Sequence, residues 1–94
     1  MYAVYITPAA DRILKKLPAP VRKALIQSAQ QLKEKPLAGE ALTGRYRHLR
    51  SLHLTHESVA YRIIYQVFAH TETVSIYLAD KRENIYKRLV HMGY

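Results

Sequence analysis

Residues 2–7 crowd β-branched and aromatic side chains into six positions, which predicts a short strand. Thr7-Pro8 then predicts a helix start, with a hydroxyl to cap the first turn and proline at the first helical position. Ile13, Leu14 and Leu17 supply an apolar stripe, Lys15 and Lys16 fall in the last turn, and Pro18 and Pro20 mark the break. From residue 19 to residue 34, Val21, Leu25, Ala29 and Leu32 return at helical spacing, predicting a second helix. Two helices with so short a link form an αα-hairpin. Residues 35–44, punctuated by Pro36, Gly39 and Gly44, read as a loop. Strands are predicted at about 49–54, 59–68 and 73–78, with turns at 55–58 and 69–72 short enough for antiparallel hairpins. A short helix over about 84–90 completes the chain. The expected fold is one α+β domain over 1–94: an N-terminal strand, an αα-hairpin, a three-stranded antiparallel sheet and a short C-terminal helix.

Alternation along the strands sorts the faces. Leu52 and Leu54 share a face that should look at the helices, which turns Ser51 and His53 the other way. In the next strand Tyr61, Ile63, Tyr65 and Val67 line one face, and Arg62, Ile64 and Gln66 the other. An arginine in mid-strand seldom lies in a core without a partner. The face opposite the helices is therefore its expected place, and His53 and Arg62 should share an open sheet surface.

Charge changes the picture next. Fifteen Lys and Arg against seven Asp and Glu give a net charge of +8, which points to a polyanionic partner. Between Arg45 and Arg62 there are four arginines and three histidines against the single acid Glu57. Lys81, Arg82, Lys87, Arg88 and His91 form a second cluster, and one patch results only if the fold unites the two. With no cysteine, thiolate chemistry and cysteine-based zinc sites are excluded. The histidines lack the His-x-x-x-His spacing of a helical zinc pair, so neither metal nor cofactor is expected. No basic leader precedes an apolar stretch and no apolar run suits a membrane, so the cytoplasm is the expected location.

The string YRIIYQV (61–67), followed by KRENIYKR (81–88) and preceded by LTGRYRHLRSLHL (42–54), resembles the RelE branch of the RelE/ParE bacterial toxin superfamily. The order of elements matches too, and the resemblance covers essentially the whole chain. It implies a metal-independent endoribonuclease that cuts mRNA on the ribosome by attack of the RNA's own 2′-hydroxyl. It also implies a cognate antitoxin that keeps the toxin silent. Arg62 matches the strand arginine that holds the scissile phosphate, and Arg82 the arginine that stabilises the transition state or assists the leaving group. Tyr86 matches the C-terminal tyrosine near the 2′-hydroxyl. Guanidinium suits these roles because it is always charged and grips phosphate bidentately.

The chain departs from that pattern on the first hairpin strand. Where RelE-like enzymes carry two lysines, Ser51 and His53 stand here. A neutral histidine can take a proton near pH 7, so His53 is the candidate base. Ser51 cannot supply the missing charge, and Arg50 could do so only if a bulge turned it from the helix face. Arg45, Arg47, His48, Arg50, Lys81 and Lys87 are the expected RNA contacts. Two rival readings share the fold: a ParE-like inhibitor of DNA gyrase, and a non-catalytic basic RNA-binding protein.

Overall fold

The computed structural model describes residues 1–94. Strand β1 (Ala3–Ile6) runs straight into helix α1 (Pro8–Lys15). The Thr7 hydroxyl accepts from the Ala10 N–H at 3.3 Å and donates to the Ile76 carbonyl at 2.8 Å, so one side chain caps the helix and ties it to the sheet. Helix α2 (Ala19–Gln30) starts on prolines and ends in a 3-10 turn (Gln31–Lys33), which accounts for the apolar stripe reaching Leu32. The remaining elements are β2 (Glu40–Ala41), β3 (Arg50–His56), β4 (Val59–Phe68), β5 (Thr73–Lys81) and α3 (Arg82–Met92). No helix is long and apolar enough to cross a membrane.

The α+β class is as expected, but the sheet has five strands rather than three, in the order β1-β5-β4-β3-β2. β1 joins it by pairing parallel with β5, Ala3 opposite Thr73 and Ile6 opposite Ile76. That partner lies about seventy residues away, so no local pattern announces it. At the other edge the two residues of β2 pair antiparallel with Ser51 and Arg50. The β3–β4 turn tightens from the expected four residues to Glu57 and Ser58, both with positive φ (48° and 67°). Such primed turns match the twist of the flanking strands, so pairing runs out to His56 and Val59.

The β4–β5 register shifts between Ile64 and Tyr65, leaving Tyr77 as the extra residue of a bulge. Its hydroxyl donates to the Gln66 side chain at 2.8 Å, and its ring packs on Tyr94 with centroids 4.6 Å apart. Burial pushes the Tyr77 hydroxyl above its ordinary pKa, and Tyr94 adds to the shift. Beyond the bulge β5 continues three residues past its expected end, which brings Asp80 directly opposite Arg62.

Two cores result. Leu14, Leu25, Ala29 and Leu32 of the helical layer pack on Leu52, Ile63, Tyr65 and Ile76 of the sheet. On the opposite face Leu49, Ile64 and Leu78 pack against Ile85 and Leu89 of α3, with Ile13 joining from α1. This corrects the expectation of an open sheet surface. α3 starts two residues early, at Arg82, and its apolar stripe covers part of that face.

Candidate active site

Residues opposite each other in antiparallel strands share a face. The register therefore sets His53, Arg62 and Asp80 in one row across β3, β4 and β5, and Glu40, Ser51, Ile64 and Leu78 in the next. α3 crosses above these rows, and its first turns leave a cleft of about 240 Å³. Ile64 and Ile85 form its apolar floor and wall. His53, Arg62, Arg82 and Tyr86 all line it, together with Glu40, Leu42 and Ser51. The four residues expected to act together are brought together.

Arg62 is half-buried, and its Nη1 donates to the Tyr61 carbonyl at 3.1 Å. It makes no ion pair. The molecule has two, Lys15–Asp11 at 2.9 Å and Arg88–Asp80 at 2.6 Å. Arg62 is thus not a structural counterion, and its charge is available to a ligand. Arg82, the first residue of α3, is exposed, and Tyr86 follows one turn later at 66% exposure. So exposed a tyrosine is not packing α3 down; Ile85 and Leu89 do that. His53 is also exposed.

Glu40 is the carboxylate in this cleft, and the sequence pattern did not single it out. It sits inside the stretch read as a loop, where a two-residue strand leaves no alternation to detect. Several bonds fix its backbone. The Gly39 N–H donates to the Tyr65 hydroxyl at 2.8 Å. The Arg50 guanidinium donates to the Gly39 carbonyl at 2.9 Å and 2.6 Å, and to that of Leu37 at 3.2 Å. The loop passes so close to the sheet that a Cβ at Gly39 would lie 2.7 Å from the Ser51 carbonyl oxygen. Glycine is required there by space.

Arg50 is thereby spent on the loop. It pairs in register with Tyr65, whose side chain belongs to the helix-side core, and no bulge interrupts β3–β4. It is absent from the lining of the cleft, and its guanidinium is held by the Gly39 and Leu37 carbonyls instead. Lys81 lines an adjoining groove with Arg82, Glu83 and Tyr86. Lys87 faces elsewhere, lining a depression with Asn84, Arg88 and His91. Arg45, Arg47 and His48 are exposed on the turn after Leu42, outside the cleft proper. Arg45 lies over the Tyr46 ring, 5.2 Å from its centroid, and Arg47 bonds the Gly44 carbonyl at 3.3 Å. No group of three or more His, Cys, Asp and Glu side chains stands close enough to hold a metal ion.

Residues 4–90 match a family model described as ParE-like toxin of type II bacterial toxin–antitoxin system. Among solved structures, the toxin–antitoxin complex RelBE2 from Mycobacterium tuberculosis matches at 30% identity and a TM-score of 0.75, over 86% of this chain and 98% of that one. A mutant of the E. coli toxin RelE in the free state matches at 22% identity and TM-score 0.75, over 97% of this chain and 96% of that one. The isolated E. coli RelE toxin matches over the whole of both chains at 23% identity and TM-score 0.69. The last two likenesses bear on the fold alone. No curated protein matches the sequence.

Proposed function

The chain belongs to the ParE-like toxins of type II bacterial toxin–antitoxin systems, within the RelE/ParE superfamily, and from that premise we propose that it is a metal-independent endoribonuclease that cuts mRNA on the ribosome. The observation that carries the reading is the convergence of His53, Arg62, Arg82 and Tyr86, from three separate elements, on one cleft.

The chemistry follows from the residues. The 2′-oxygen attacks the adjacent phosphorus, the bond to the 5′-oxygen breaks, and a 2′,3′-cyclic phosphate forms. His53 takes the 2′-hydroxyl proton. It stands beside Arg62 in the register, hence beside the phosphate that Arg62 grips. Glu40, the carboxylate of the cleft, lies a row further along and two strands from Arg62. Arg62 and Arg82 meet the negative charge that builds on the phosphate oxygens, where fixed cations act most strongly. Arg82 meets the charge that gathers on the leaving 5′-oxygen, which takes a proton from solvent and departs as a 5′-hydroxyl, and Tyr86 offers an exposed ring to a neighbouring base. The enzyme works in the cytoplasm.

Its partner is a cognate antitoxin. The binding segment is acidic and amphipathic, and it folds as it docks. It covers the cleft or displaces α3, whose outer face presents Tyr86 and Val90, each 66% exposed. Expression without the antitoxin should arrest growth, and co-expression should relieve the arrest.

The decisive measurement is the 3′ end of message cleaved on programmed ribosomes. A cyclic phosphate supports the reading; a plain 3′-hydroxyl refutes it. The ParE-like description of the matching family favours a second reading, inhibition of DNA gyrase by binding. It gains if growth arrest comes with intact message and lost supercoiling activity.

A further inference from the structure

Two arginines stand within reach of one buried carboxylate, and only one of them has it. Asp80 is 3% exposed and lies directly opposite Arg62 in the β4–β5 register, on the same face of the sheet. Side chains so paired have Cβ atoms about 5 Å apart, and an arginine and an aspartate at that distance ordinarily bond. Here they do not. One oxygen of Asp80 accepts from the Lys81 N–H at 2.7 Å. The other accepts from Asn84 at 3.3 Å and from Arg88 Nε at 2.6 Å, both on α3. Arg62 turns instead into the cleft, with the Tyr61 carbonyl as its protein partner.

We propose that Arg88 is a positioning residue for the cleavage reaction: by holding the charge of Asp80, it keeps Arg62 free for the scissile phosphate. The inference rests on the nuclease reading above and assigns work to two residues outside the cleft. A buried carboxylate does not stay unpaired when a cation is in reach. If Arg88 is lost, or if α3 lifts and carries Arg88 and Asn84 away, the cation left facing Asp80 across the strand register is Arg62. Its guanidinium swings to Asp80 and leaves the phosphate site. Displacement of α3 would then silence the toxin twice, by removing Arg82 and Tyr86 and by neutralising Arg62.

The test is a substitution cycle read on RNA cleavage and on binding of an uncleavable RNA with 2′-deoxyribose at the scissile position. Arg88→Gln should lower cleavage about 10²-fold, as removal of one such electrostatic donor does. It should also weaken binding of the uncleavable RNA. Adding Asp80→Asn should restore both to within about tenfold of wild type, because the competing carboxylate is gone. Asp80→Asn alone should bind the uncleavable RNA at least as tightly as wild type, a comparison that holds even if Arg88→Gln folds poorly. Arg88→Lys should keep most of the activity. Failure of the double variant to recover would make the pair a mere brace for α3 and overturn the inference, as would weakened binding by Asp80→Asn. A wild-type protein that cuts no RNA would instead sink the nuclease reading itself.

Discussion

At Arg62 a strand interior carries a charge with no protein counterion, an arrangement that costs stability and is retained where a ligand completes it. If Arg62 and Arg82 act on developing phosphate charge, Arg62→Ala and Arg82→Ala should each lower cleavage about 10²–10³-fold. Both variants should remain folded and still able to bind the antitoxin, as circular dichroism and pull-down would report. His53→Ala should cost about 10²–10⁴-fold if it is the base. Glu40→Gln, measured beside it, decides between the imidazole and the carboxylate as the group that takes the proton. A larger loss there than at His53 would hand the role to the carboxylate. Gly39 makes a prediction of another kind. Its missing Cβ leaves room for the Ser51 carbonyl, so Gly39→Ala should destabilise by about 1–3 kcal/mol through overpacking, read as a lower Tm.

Among elements, α3 decides whether there is a site at all, because Arg82 and Tyr86 ride on its first turns while Ile85 and Leu89 hold it to the sheet. Leu89 is fully buried, so Leu89→Ala should cost about 2–5 kcal/mol. Cleavage should fall although residue 89 touches no substrate. A variant that unfolds α3 but cuts normally would mean that the helix carries no catalytic group. How far each element was legible depended on where its partners lie. β4 reads at its true bounds because alternating apolar residues and flanking turns are local signals. Thr7-Pro8 likewise gave the start of α1. The last three residues of β5 carry little strand preference of their own; their pairing with residues 61–63 makes them strand. That pairing creates the row containing Asp80, so neither Asp80 nor its bond to Arg88 could be read in advance. Glu40 was hidden for a similar reason, since β2 exists only as an edge partner of β3. The start of α3 lacks a side-chain cap, which is why the pattern placed it two residues late.

At the scale of the whole molecule the excess of +8 is divided between surfaces rather than gathered into one patch. Arg62 and Arg82 line the cleft, with Lys81 in the adjoining groove. Arg45 and Arg47 lie on the turn beyond its rim at Leu42. Lys87, Arg88 and His91 face another way, and Arg88 and His91 share a depression with Arg12 and Lys16 of α1. Salt separates the two surfaces, because each phosphate contact on a single strand adds about −0.7 to the slope of log affinity against log salt. Replacing Arg45 and Arg47 together by alanine should flatten the slope for a short single-stranded RNA by up to about 1.4, at two such contacts. Cleavage at saturating RNA should persist, because neither residue lines the cleft. Lys87→Ala should leave that slope unchanged, since its side chain lies on the other surface. Equal flattening by both substitutions would mean that the RNA wraps around α3, while no flattening by either would leave the surface charge without a part in RNA binding.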